Sequence, residues 1–391
     1  MRTTAKKAAA ALLCGALAVS AASCAAQQTY PLTIDGEQIR AGIYLFQQYT
    51  AVEDAKSKLS EEQPGLDTSA DGFDYMKQTI EGKSFGDWVK DKAIEGCREY
   101  IAEKRLFASN GLTLTAEQNT SVKDNTNSIW DESNYYAQYL YGTDTIGEFF
   151  EKMGIGKQSF KDLQEASEMR TALFDHLYGE GGELAATQDE INTALKEGYA
   201  AIEYITYQLE SGDSAQAYAD RINNGESFEQ IVKDYTDAYN LQEYEKDLAE
   251  AEAAAESEDG VTEVTDTAET TTPEKPDPID LPETDSLLLV ISSTSISPSE
   301  DFVKQVFALA DDTVSVVTVT TDSGSTEYIV KKVNILSVPE DKTASAVESL
   351  RSSLKEDEFE EMISSAAAAY SVTESSDIGL YKTEKILETA K

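Results

Sequence analysis

The chain has 391 residues, 40% of them hydrophobic, which is enough for more than one core and points to two domains. Its 73 acidic against 32 basic residues give a formal net charge of −41. That balance excludes nucleic acid as a ligand, because such binding rests on Lys and Arg neutralising phosphates; it also sets the body of the protein against anionic lipid while keeping it soluble.

The first element is a leader. Arg2, Lys6 and Lys7 form a positive stretch, residues 8–19 are an apolar run containing Leu12, Leu13 and Leu17, and small residues 20–23 lead into Cys24. The run falls short of the ~20 residues that a membrane-crossing helix needs, so the pattern predicts a secretory signal peptide over residues 1–23. Ala21-Ala22-Ser23-Cys24 resembles the lipobox of bacterial lipoproteins, in which the thiol is acylated and the chain cut in front of it, with Ala21 where that family has Leu. The resemblance implies a mature protein that begins at Cys24 and is lipid-anchored, extracytoplasmic, on the outer face of the cell membrane. An ordinary signal peptide that leaves Cys24 unmodified is the other reading. With Cys14 lost in the leader and Cys24 carrying lipid, Cys97 is alone, and no intrachain disulfide is expected. Its neighbours at helical spacing are apolar, which makes it a small buried hydrophobe.

Helical periodicity dominates residues 24–198. A short strand-like segment, residues 30–36, precedes a helix over 39–59 with Ile43, Leu45, Phe46, Tyr49 and Val52 on its apolar face. Ser84 caps a second helix reaching about residue 108, with Asp87 three residues on. Further helices are predicted over 115–140, 145–153, 159–178 and 188–198, the last following the cap-like Thr187. Tyr135, Tyr136, Tyr139 and Tyr141 fall together in this region; aromatics at helical spacing usually pack between helices, and an apolar groove for a bound polypeptide is the sharper reading. His176 is the sole histidine and has no evident acid–base partner.

From Tyr199 the period changes. Residues 201–209 alternate as a strand, 214–223 and a segment beginning at the cap Ser227 read as helices, and after an acidic stretch come a strand (287–292), a helix (300–309) and two strands (314–320 and 327–336) around a turn at 322–324. The stretch over 243–285 holds sixteen acidic and two basic residues, ends in four prolines and reads as a disordered loop, its Ala- and Glu-rich beginning able to extend a helix. A last helix is predicted over 343–369.

Several phrases in this order resemble parvulin-type prolyl isomerase domains. They are Asn224-Gly-Glu-Ser-Phe228, Asp234-Tyr-Thr, the segment from Val306 to Ser315, and Glu327-Tyr-Ile-Val-Lys-Lys-Val333. With the segment Thr33-Ile-Asp-Gly36 and the returning C-terminal helix, the whole is similar to PrsA/SurA-type foldase lipoproteins. The resemblance implies an α+β fold: a mainly helical chaperone domain (24–198 with 338–391) and an inserted parvulin-like α/β domain (199–337) interrupted by the acidic loop. In that family two histidines face each other across the central strands; here Tyr204 and Tyr328 hold their places, and Ile296 stands where a pocket Met is usual.

The implied function is that of a membrane-anchored chaperone, holdase or foldase, for unfolded or newly exported polypeptides, with Tyr135, Tyr136 and Tyr139 as client-binding candidates and little isomerase activity. A solute-binding lipoprotein of a transporter and an active prolyl cis-trans isomerase are the alternatives. No metal site, phosphate loop or nucleophile elbow stands out, so no cofactor is expected.

Overall fold

The computed structural model describes residues 29–389 apart from 71, 258–272, 282, 284–286 and 323. The leader and Cys24 lie outside the described residues. The chain divides into two compact units, one running to Ala185 and resuming at Lys355, the other spanning Ala186–Leu354. The result is the expected α+β fold, a mainly helical unit interrupted by an inserted unit that carries the larger sheet.

The helical unit opens with a hairpin. Strands β1 (Leu32–Ile34) and β2 (Glu37–Ile39) pair antiparallel through Asp35 and Gly36, which have φ of 46° and 87°. Both linking residues of such a tight hairpin need positive φ, and Asp-Gly adopts it at low cost. Arg105 braces the turn by donating to the carboxylates of Asp35 (2.5 Å) and Glu37 (2.8 Å). Next come α1 (Ala41–Glu62), a two-residue-strand hairpin of β3 (Thr79–Ile80) and β4 (Lys83–Ser84), α2 (Phe85–Ser109), α3 (Ala116–Asp131), α4 (Ile146–Met153) and α5 (Lys157–Tyr178). Ser84, Thr115 and Thr145 each cap a helix by accepting the backbone N–H three residues on, which satisfies donors that have no partner inside the helix.

One helix is shorter than its period suggests. The segment expected to run helically to residue 140 stops at Asp131, because Glu132-Ser-Asn134 offers a competing local geometry: the Asn134 side-chain oxygen accepts from the N–H groups of Tyr136 (2.8 Å) and Ala137 (3.2 Å). A single π-helical turn, Ala137–Tyr141, follows and closes on Gly142 in the left-handed region. Below it lies an aromatic core in which Trp88, Trp130, Phe149, Phe150 and Phe160 are buried, with Trp130 and Phe160 at 5.5 Å between ring centroids. A second cluster surrounds Cys97 with Leu32, Ile34, Ile39, Tyr44 and Ile101.

The inserted unit contains α6 (Gln188–Gly198), β5 (Tyr199–Tyr207), α7 (Ala215–Asn223), α8 (Phe228–Ser257), β6 (Leu289–Ser292), α9 (Glu300–Ala308), β7 (Thr313–Thr321), β8 (Gly324–Val333) and the first half of α10 (Glu340–Ala368). From β5 on, the order strand, helix, helix, strand, helix, strand, strand is the one read from the sequence. The sheet order is β6-β5-β8-β7, antiparallel throughout. Helices α7 and α8 cover one face through Tyr218, Phe228, Ile231 and Tyr235 against Ile205 and Ile329; α9 covers the other through Phe302, Val303 and Val306 against Ile202, Val317 and Val330.

Two expectations shift here. The unit is wider than 199–337, because Leu195 of α6 packs with Ala201, Ile335, Val338 and Ala346 and draws both flanking helices into it. Residues 243–257 of the acidic stretch are helical, continuing α8, as their Ala and Glu content favours. Beyond the undescribed 258–272, residues 273–281 carry no regular structure, yet Ile279 donates its N–H to Asp237 of α8 at 2.8 Å.

The second half of α10 returns to the helical unit, where Phe359, Ile363 and Ala367 pack on Ala102, Phe107, Leu173 and Tyr178. Strand β9 (Val372–Glu374) then pairs antiparallel with β1, and α11 (Thr383–Thr389) buries Ile386 in the aromatic core. Among the described residues no helix is long and apolar enough to cross a membrane.

Burial alone pushes the Cys97 thiol far above its usual pKa. In a chain beginning after Cys24, an aromatic disulfide reagent should therefore modify Cys97 only as denaturant opens the helical unit. Rapid modification under native conditions would show that the cluster around it is not closed.

Candidate functional site

The places where the resemblance implies two imidazoles lie on the α9-covered face of the inserted unit's sheet. Tyr204 pairs with Val330, while Tyr328 pairs with Thr206 on one side and Val317 on the other. The two tyrosines are thus diagonal neighbours on one face, since side chains two residues apart on a strand point the same way. Their ring centroids stand 6.1 Å apart. Phe302 of α9 completes a triangle at 5.5 Å from Tyr204 and 4.7 Å from Tyr328. Tyr328 is buried and Tyr204 half-buried, with Ile202, Val317 and Val330 around them.

This arrangement offers ring surface and two phenols. Among the described residues it contains no imidazole and no thiol, because His176 and Cys97 both belong to the other unit, where His176 is exposed on α5. Glu203, next to Tyr204 in sequence, faces the opposite side of the sheet. There it is buried and paired with its cross-strand neighbour Lys331 at 2.5 Å, the ammonium lying 5.9 Å from the Phe228 ring. Ile296, expected at the pocket, is 72% exposed and takes no part in the aromatic cluster. Phe302 is the site residue that the sequence reading passed over; its signal was the apolar spacing Phe302, Val303, Val306 on a short helix.

In the helical unit the tyrosines separate into two kinds. Tyr141 stacks on Phe149 at 3.8 Å and joins the core. Tyr135, Tyr136 and Tyr139 are 73%, 68% and 75% exposed, so helix packing does not account for them. Tyr135 stacks on Tyr139 at 6.2 Å and meets Tyr136 edge-on at 5.9 Å, and Leu140, 54% exposed, extends the patch. The segment that bears them is held from below. Ala137 is fully buried, Asn134 donates its N–H to the Asp144 carbonyl (3.0 Å), and Thr143 donates to that of Ala137 (3.3 Å).

A cleft of about 300 Å³ opens between α1, α2 and α5, lined among others by Phe46, Gln47, Glu99, Tyr100, Glu103 and Arg170. Burial raises the carboxyl pKa of Glu103 against the lowering effect of Arg170, which donates to it at 2.6 Å and also to Glu360. Burial, then the charges of Glu95, Glu103 and Glu360, raise that of Glu99. Among the described residues no three His, Cys, Asp or Glu side chains are grouped to hold a metal ion.

No family model matches this chain, and no curated protein does. Among solved structures it is similar to the foldase protein PrsA of Lactococcus lactis, with 13% identity over 93% of this chain and 100% of that one at a TM-score of 0.30. It is also similar to PrsA of Streptococcus pneumoniae (16% identity, 77% and 93% of the two chains, TM-score 0.29) and of Bacillus subtilis (15%, the same coverage, TM-score 0.25). At that level of superposition, the strand order and side chains of this chain itself carry the functional conclusion.

Proposed function

We propose that this protein is a membrane-anchored, extracytoplasmic chaperone that holds unfolded or newly exported polypeptides. The observation that carries the proposal is the patch of Tyr135, Tyr136, Tyr139 and Leu140, exposed on a segment that is tied down beneath it. A contiguous apolar patch on a soluble protein marks a place where something binds, and tyrosines supply large contact area at little entropic cost. The rest of the chain carries a net charge of −41, which keeps a complex with a sticky client dispersed. Holding requires no acid–base group.

The inserted unit, on this reading, contributes surface and little isomerase activity. Turning a prolyl bond has a barrier of ~20 kcal/mol, and the residues at the two histidine places, Tyr204 and Tyr328, present rings packed on Phe302 with no imidazole beside them. Lipid on Cys24 would keep the chaperone where exported chains emerge.

Because Tyr135 and Tyr139 are exposed, replacing both with Ala should change stability by less than about 1 kcal/mol, yet reduce the suppression of aggregation of a denatured client several-fold. Unchanged suppression by the folded double variant removes the patch from the mechanism. For a proline-containing test peptide, the cis–trans relaxation should stay in the range of tens to hundreds of seconds with excess protein present; acceleration that disappears on Tyr204→Phe or Tyr328→Phe would reinstate catalysis. Cys24→Ala should leave the precursor unlipidated or release the protein to the medium, which membrane fractionation reads directly.

A further inference from the structure

The sheet of the inserted unit ends on β7, a nine-residue strand of sequence Thr-Val-Ser-Val-Val-Thr-Val-Thr-Thr that pairs only with β8. Its register runs to Thr321↔Gly324, so a two-residue link joins the strands and their pairs alternate from there between hydrogen-bonded and open. Thr313, Ser315, Val317, Val319 and Thr321 bond to β8, and the N–H and C=O groups of Val314, Val316, Thr318 and Thr320 point away from the sheet. Two side chains confirm that parity from outside: Asn223 donates to the Val314 carbonyl (3.4 Å) and Gln305 to that of Thr318 (2.8 Å). Among the described residues the four outward N–H groups have no partner.

Edge strands are usually blunted by Pro, Lys, a bulge or short length. β7 has none of these: it is uncharged, rich in β-branched residues, and its outer half, Thr318 and Thr320, is exposed; only the side-chain amides of Asn223 and Gln305 lie on its outward carbonyls, and an incoming strand displaces them. Acidic residues bracket it, Asp311 and Asp312 before it, Asp322 after it and Glu327 across from Thr318, with Lys332 near Asp311 at 3.7 Å. We propose that β7 takes an extended client segment as an added antiparallel or parallel strand, the preferred segment having an uncharged β-prone core of about nine residues flanked by Lys or Arg. This inference rests on the reading of the protein as a binder of polypeptides and names one mode of capture. The net charge of −41 on every copy disfavours a second copy as the occupant.

The probe is a fluorescent peptide with a nine-residue Thr/Val core and a pair of lysines at each end, titrated into the full mature chain, with a Glu-flanked peptide as comparison. Two variants are used. Thr318→Pro removes one outward donor and turns a ring toward the incoming strand, a substitution that edge strands accommodate; Thr318→Lys keeps the N–H and places a repelling charge at the edge. Each should weaken binding of the Lys-flanked peptide by about tenfold while circular dichroism stays native, the Glu-flanked peptide should bind more weakly than its partner, and bound peptide should slow amide exchange at Val316, Thr318 and Thr320. Wild-type affinity in both variants, or a concentration-dependent dimer of the wild type that Thr318→Pro abolishes, overturns the proposal. If peptide binding is unaffected while aggregation is still suppressed, strand addition fails and the chaperone reading stands; if the edge binds peptide and aggregation is not suppressed, the reverse holds.

Discussion

The fold depends on the pairing of the first strand with the last. Leu32 and Ile34 of β1 are fully buried, and the register Leu32↔Glu374, Ile34↔Val372 holds β9 against them. Once this ladder forms, residues 370–389 must complete the helical unit. Tyr370 and Val372 join the cluster around Cys97, Ile386 and Leu387 enter the aromatic core, and Gln48 donates to the Tyr381 carbonyl at 3.1 Å. Everything from Ala186 to Leu354 becomes an insertion between two halves of one core. The entropic cost of closing so long a loop grows only as its logarithm, so an inserted folded unit is tolerated where a second core can support itself.

In that second core a strict two-residue alternation separates two environments. Tyr204 lies with Phe302 and Tyr328 on one face, and Glu203 lies with Lys331 and Phe228 on the other. A one-residue slip of β5 would exchange them, placing a carboxylate among the rings and a phenol beside the ammonium. Burying the unpaired charge costs several kcal/mol. The same ion pair that fixes the register therefore keeps the aromatic face free of charge.

Function is distributed over these parts by exposure. The aromatic residues of the helical unit are mostly consumed by its core, from Trp88 to Phe160, and Tyr135, Tyr136 and Tyr139 stay outside it on a turn that Asn134 starts and that buried Ala137 and the backbone bonds of Asn134 and Thr143 hold down. The Asn134 side-chain oxygen, accepting from the N–H groups of Tyr136 and Ala137, starts the short helical turn that carries them.

Helix starts, the change of period at Tyr199 and the order of strands in the inserted unit were legible in the sequence by itself, because capping and periodicity act within a few residues: Thr187 and Glu190 cap each other reciprocally, and the alternation over β5 is visible residue by residue. The places of Tyr204 and Tyr328 were legible for the same reason, as positions on strands. What only the tertiary structure decided is long-range: that β9 finds β1, that Phe302 forms the third side of the aromatic triangle, that α6 and half of α10 belong with the sheet, and that Tyr135, Tyr136 and Tyr139 face outward while Tyr141 faces in. Short strands such as Val372–Glu374 carry too few residues to show a period, and exposure depends on which distant surfaces cover a side chain, so neither is written in any local stretch of the chain.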